Sequence, residues 1–169
     1  MLLLLDVHGL VEVALPEYKK RAKNTPREAA SVVLVVEDSP FFRKQIIACL
    51  HDAGYATLAA EDGAQAFALL GQHADHVALV VTDIEMPNMD GLEMTRRIRA
   101  DGRFAALPII AVTSISGELA ERRGREAGLT EYLIKLDREQ LVERADHFLK
   151  SALPISIEQP AHAPKGALG

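Results

Sequence analysis

A chain of 169 residues, 49% of them hydrophobic, suits one domain of ordinary size with extensions and excludes a disordered polymer. Its formal charge of −5 excludes a global electrostatic pull toward nucleic acid or an anionic membrane, so either partner would need a local basic patch. The single cysteine, Cys49, excludes a disulfide framework or a thiolate metal site and fits a reducing cytoplasm.

The opening "MLLLL" has no basic flank. Asp6, His8 and Glu12 interrupt it long before the ~20 apolar residues of a membrane span. Residues 1–14 read as one or two strands turning near His8-Gly9. The next stretch, 15–31, is rich in Lys, Arg and Pro without periodicity, the composition of a solvated linker.

From Val32 the texture changes. "VVLVV" (32–36), "VALVV" (77–81) and "PIIAV" (108–112) are short continuous apolar runs, and "YATLAA" (55–60) and "EYLIK" (131–135) are weaker ones. Helical patterns lie between and after them, at 40–53, 62–71, 91–101, about 117–127 and 138–151. Ser39-Pro40 supplies an N-cap and first helical position for the first, and Gly124 weakens the fourth. Five strands alternating with five helices predict an α/β fold, a doubly wound parallel sheet with helices on both faces. Strands buried on both faces are continuously apolar. The tail after Lys150 loses periodicity and is expected to be disordered.

In such a sheet, ligands bind beyond the carboxyl ends of the strands. Those ends carry Glu37 and Asp38, Asp83, Thr113 and Ser114, and Lys135. Two carboxylates ~5 Å apart repel by about 3 kcal/mol at an effective dielectric near 20, so an acid triad is a liability without a counter-charge. A hard-cation site resolves it: oxygen ligation by one or two carboxylates, a carbonyl and waters is the Mg²⁺ pattern. A lysine and a threonine hydroxyl opposite would clamp a transferring phosphoryl group.

Glu37-Asp38, Asp83, "MPNMDG" (86–91), "VTS" (112–114), Tyr132 and Lys135 together resemble the response-regulator receiver domain, the CheY-like fold of two-component signalling. The resemblance runs from about Val32 to Lys150 and implies the strand order 2-1-3-4-5. It implies that Asp83 takes a phosphoryl group from the phosphohistidine of a histidine kinase or histidine phosphotransfer domain. Asp38, Asp83 and the Glu85 carbonyl would hold Mg²⁺, with Glu37 acting through water. Lys135, the Thr113 hydroxyl and the Ser114 amide would contact the phosphoryl oxygens. Thr113 and Tyr132 would form the switch, repacking the face of the fourth helix, fifth strand and fifth helix as charge is added. Such a domain phosphorylates and dephosphorylates itself, with no independent substrate turnover expected.

Receivers commonly follow the lysine with a cis proline. Here Leu136 follows, and a cis bond before a non-proline costs about 3 kcal/mol, so a trans bond with an adjusted loop, or a strained cis bond, is expected. "KLDRE" (135–139) is similar to receivers fused to CheA-like chemotaxis kinases, which would make a longer chain a histidine kinase, or to coupling proteins. "LLLLDVHGL" (2–10) resembles the last strand of a CheW-like coupling domain, which makes 1–14 a remnant, 15–31 an interdomain linker, 32–150 the receiver and 151–169 the tail. This context implies chemotaxis coupling proteins as partners, and a role as switch or phosphate sink.

Two other readings stand beside the phosphorelay: an interaction module that keeps the fold without turning over phosphate, and a Mg²⁺-dependent phosphatase with an aspartyl nucleophile. The intact acids, Thr113 and Lys135 oppose the first. Against the second, such nucleophiles follow the first strand in an Asp-x-Asp pattern, whereas Asp83 precedes Ile84-Glu85 after the third. His73 and His76 lack a carboxylate partner. The Arg96/Arg97/Arg99 and Arg122/Arg123/Arg125 groups lack interleaved aromatics for stacking bases, which makes them solvated helix faces. Met86 and Met89 are expected to pack the loop.

Overall fold

A computed structural model of the chain describes residues 31–114, 117–135 and 137–151. The expected coupling-domain remnant at 1–14, the linker apart from Ser31, the tail from 152 and the Lys135–Leu136 bond lie outside the described residues.

The order is β1 (Val32–Val36), α1 (Pro40–Asp52), β2 (Ala56–Ala60), α2 (Gly63–Gln72), β3 (Val77–Thr82), α3 (Gly91–Ala100), β4 (Ile109–Thr113), α4 (Glu118–Ala127), β5 (Glu131–Ile134) and α5 (Arg138–Ser151). A single 3-10 turn, Gly102–Phe104, follows α3. Every strand and helix expected from Val32 onward is present within a residue or so of its expected bounds. The strands pair in parallel in the order β2-β1-β3-β4-β5.

Alternate residues of the same strands feed two cores, which is why the strands are apolar without a break. Leu34, Val36, Val80, Ile109 and Ala111 point to one face, where Leu70 of α2 and Met94 and Ile98 of α3 cover them. Val33, Val35, Leu79, Val81, Ile110 and Val112 point to the other, under Ile46 and Leu50 of α1 and Leu141, Ala145 and Leu149 of α5. Each such side chain contributes about 1.5–3 kcal/mol on full burial.

Helix starts follow side-chain chemistry. The Asp62 carboxylate accepts from the Gln65 amide at 2.8 Å, Asp90 from Glu93 at 2.7 Å and Asp137 from Gln140 at 2.9 Å. Ser39 occupies the N-cap position of α1, with Pro40 behind it, but its side chain makes no capping bond. Its amide donates instead to Glu37 Oε1 at 3.2 Å, so the loop leading to α1 is tied to the acid before it. At the end of α4, Gly128 adopts φ 100°, the left-handed conformation that glycine reaches without strain.

Candidate functional site

Strand register builds the site. Val36 of β1 pairs with Thr82 of β3. One residue on, the Asp83 amide donates to the Val36 carbonyl at 2.8 Å and the Glu37 amide to the Ala60 carbonyl at 3.1 Å, so Glu37 and Asp83 leave neighbouring strands at the same level. Across the sheet Thr113 pairs with Ile134, and the Lys135 amide donates to the Thr113 carbonyl at 2.9 Å. Lys135 therefore emerges at the same edge.

Its Nζ lies 2.7 Å from Asp83 Oδ2 and 2.9 Å from Glu37 Oε2. Asp83 Oδ1 accepts from the Ile84 amide at 2.7 Å. Glu37 is fully buried, and Asp83 and Thr113 are nearly so. Burial, the largest influence, pushes the Glu37 carboxyl above its ordinary range; the Asp83 charge adds to the rise, and Lys135 opposes it. For Lys135 burial pulls downward, yet its hydrogen bond to Asp83 and its charge pairing with Asp83 and Glu37 prevail and hold the ammonium above its ordinary value.

One ammonium does not balance this pocket. Oxygens of Glu37, Asp38 and Asp83 lie within 4.8 Å of one another. Three carboxylates against one lysine leave an excess of two negative charges at a partly desolvated edge. Glu37 Oε2, although close to Lys135, makes no well-directed hydrogen bond. An all-oxygen set with an unsatisfied buried acceptor and a dianionic excess fits a hard divalent cation, and the exposed Asp38 leaves the cluster open to solvent.

The other expected site residues fall around this cluster. Glu85 is exposed in the loop after Asp83, and Ser114 is exposed just past β4. The Thr113 and Tyr132 side chains hydrogen-bond, and burial raises the Tyr132 hydroxyl pKa. The Tyr132 ring packs partly buried against the core. Gly124, which costs α4 helix propensity, stands beside it: a Cβ there would lie 2.8 Å from Leu129 Cδ1 and 3.4 Å from Tyr132 Cδ2. Met89 is buried and Met86 packs beside it, as expected for the loop. Arg96 and Arg97 pair with Glu93, Arg122 with Glu126 and Arg125 with Glu121, all solvated. Arg99 departs from the expected solvated face: its guanidinium donates to the carbonyls of Gly128 (2.9 Å), Phe104 (3.1 Å) and Leu107 (2.8 Å).

Sequence reasoning missed the parts that hold the loops. Arg43 donates to the carbonyls of Glu37 (2.6 Å) and Asp38 (3.3 Å) and to Glu61 Oε1 (2.9 Å), clamping the acid-bearing turn. The Thr82 hydroxyl donates to the Asp83 carbonyl at 2.7 Å. A Cβ on Gly91 would land on that same carbonyl. Asp62, besides capping α2, accepts from Asn88 Nδ2 at 2.9 Å; Asn88 itself has φ 64°. Asn88 and Gly91 stood out within "MPNMDG", whereas nothing about Arg43 in the α1 pattern sets it apart from a solvated arginine.

The fold and site define a doubly wound α/β domain with a cluster of three carboxylates and a lysine at the carboxyl edge of its sheet. Residues 33–146 match the response regulator receiver domain, and the chain belongs to that family, as a CheY-type receiver of two-component phosphorelays. The chain is 32% identical over 158 residues to chemotaxis protein CheV3 of Helicobacter pylori, an alignment covering 88% of this chain and 51% of that protein, so it spans about half that relative's length. It is 38% identical over 104 residues to H. pylori CheY1, covering 61% of this chain and 83% of CheY1. Among solved structures, the CheX–CheY–BeF3–Mg²⁺ complex of Borrelia burgdorferi superposes with a TM-score of 0.66 at 26% identity, covering 70% of this chain and 89% of the matched chain. Among the described residues no helix is long and apolar enough to cross a membrane.

Proposed function

We propose that Asp83 is the phospho-acceptor of a chemotaxis-type relay, taking the phosphoryl group from a phosphohistidine on a histidine kinase or a histidine phosphotransfer domain. The observation that carries this reading is the buried Asp83 carboxylate, 2.7 Å from Lys135 Nζ and inside the three-carboxylate cluster. A carboxylate oxygen of Asp83 attacks phosphorus as the phosphorus–nitrogen bond breaks. The imidazole nitrogen keeps the electron pair and takes a proton from solvent. The Asp38 and Asp83 carboxylates and the Glu85 carbonyl, with Glu37 acting through water, would hold Mg²⁺, which would supply charge neutralisation for the phosphoryl oxygens. The chain's own residues do the positioning. Lys135 moves its ammonium from the Asp83 carboxylate onto a phosphoryl oxygen. The Thr113 hydroxyl and the Ser114 amide donate to the others. As Thr113 turns to the added charge, its bond to Tyr132 changes, which couples the site to the α4–β5–α5 face.

On the resemblance of residues 2–10 to the last strand of a CheW-like domain, we place this receiver in a coupling protein, with residues 1–14 the end of that domain and chemotaxis coupling proteins as partners; the similarity to a chemotaxis protein over more than residues 33–146 supports the chemotaxis setting. Incubation with acetyl phosphate and Mg²⁺ tests the reading. An acid-stable, base-labile adduct is expected in the wild type and absent in Asp83→Asn. No wild-type adduct would refute the function, and an adduct that persists in Asp83→Asn would refute the site.

A further inference from the structure

The Lys135 ammonium is flanked on two sides by carboxylates, hydrogen-bonded to Asp83 and ion-paired with Glu37. A third side of the group faces an aromatic ring: Nζ lies 4.5 Å from the centroid of Phe42, the third residue of α1. The Lys135 side chain is only 9% exposed. It borders a depression whose lining includes the apolar Phe42, Ile46 and Leu141 and the polar Gln45, Asp137 and Arg138, and the Phe42 ring covers one side of the ammonium. Phe42 lies one helical turn before Ile46 of the buried face of α1, yet it stays half-buried rather than joining that core.

We infer that Phe42 is a positioning residue for phosphoryl transfer, a π-face rest that keeps the Lys135 ammonium desolvated and poised while leaving it free to pass from carboxylate to phosphoryl oxygen. The physical distinction from a third hydrogen-bond acceptor decides this. An acceptor would fix one N–H direction and would have to be broken as the lysine moves. A ring quadrupole attracts the cation over a broad range of orientations, so the contact survives the movement. It also adds no negative charge to a pocket that already has an excess. The inference rests on the proposed role of Asp83 and Lys135.

The test uses the full chain and the variants Phe42→Leu, Phe42→Met and Phe42→Tyr, with Phe41→Leu as the neighbouring control, since exposed Phe41 touches none of these groups except the Phe42 ring edge. In the unphosphorylated protein, NMR should show the Lys135 ε-methylene and ammonium protons shifted upfield by the ring, a shift lost in Leu and Met and kept in Tyr. With acetyl phosphate at saturating Mg²⁺, the phosphorylation rate should fall roughly three- to tenfold in Leu and Met, because an ammonium without its rest is less well placed for the transfer, and stay within about twofold in Tyr. Mg²⁺ affinity should be unchanged in all of them. Retention of the rate in both Leu and Met would overturn the inference, as would equal loss of rate in Tyr and Leu. Absence of any adduct in the wild type would refute the acceptor assignment instead, while the lysine shift still reports on the Phe42 contact.

Discussion

Lys135→Met removes the ammonium and keeps most of the aliphatic volume, so it isolates the charge that holds the pocket together. At 2.7 and 2.9 Å from two carboxylates, the ammonium gains ~6 kcal/mol of gross Coulomb energy from each at an effective dielectric near 20. Desolvation returns most of that, and deleting one partner of a buried pair costs about 3–5 kcal/mol because the other charge is stranded. Protonation of Glu37 limits the cost. Its carboxyl already sits above its ordinary 4.5 by burial, and loss of the lysine, which pulls it down, raises it further. A carboxyl whose folded pKa exceeds its unfolded one contributes stability below the unfolded value and loses it as pH rises through the folded value. The metal-free variant should therefore be destabilised by about 3 kcal/mol at pH 7 and by clearly less at pH 5, with the gap to wild type widening as pH rises. Urea unfolding in the presence of a chelator measures it. A loss under about 1 kcal/mol at pH 7 with no difference between the two pH values would refute the view that Lys135 balances buried carboxylates, since one stranded charge costs more than that.

Arg43→Met removes the clamp on the Glu37 and Asp38 carbonyls and should weaken Mg²⁺ binding about tenfold by calorimetric titration, with about 1–3 kcal/mol of stability lost; unchanged affinity would make the clamp irrelevant to the cation. Asp62→Ala should cost about 1 kcal/mol near neutral pH through the lost cap and the lost Asn88 contact. The Gln65 amide and then Asn88 hold Asp62 below its ordinary 3.8, so the wild type keeps this increment above that value and loses it as pH falls through the lower folded pKa. Acid unfolding of the two proteins should converge there. Gly124→Ala, which in an exposed helix gains about 1 kcal/mol, should be neutral or destabilising here because its Cβ meets Leu129, and the gain should reappear in a Leu129→Ala background. Thermal denaturation of the four proteins gives the coupling directly.

Element types and their order were legible in the one-dimensional pattern because burial on both sheet faces demands unbroken apolar runs, and covering helices demand a 3.6-residue stripe. Asp83, Glu37, Asp38 and Lys135 stood out because each ends such a run with a charge at the edge where parallel sheets bind ligands. The role of Gly124 was not legible, since a glycine in a helix reads only as a local propensity cost. Its purpose lies in Leu129 and Tyr132, which the following turn folds back onto it. Arg43 and Thr82 were equally silent, because the groups they hold at the site are backbone carbonyls, which leave no trace in residue identity.

By itself the sequence determined which residues meet at the sheet edge: strand ends set by the stops of the apolar runs, and a loop shaped by Pro87, Asn88, Asp90 and Gly91. Tertiary structure alone decided how they meet. A continuous apolar strand carries no period-two pattern to fix its register, so only the folded sheet aligns Val36 with Thr82 and Thr113 with Ile134. That alignment places one ammonium between two buried carboxylates and against the face of Phe42. The acids are local facts, whereas the charge balance among them depends on distances that chain order does not contain.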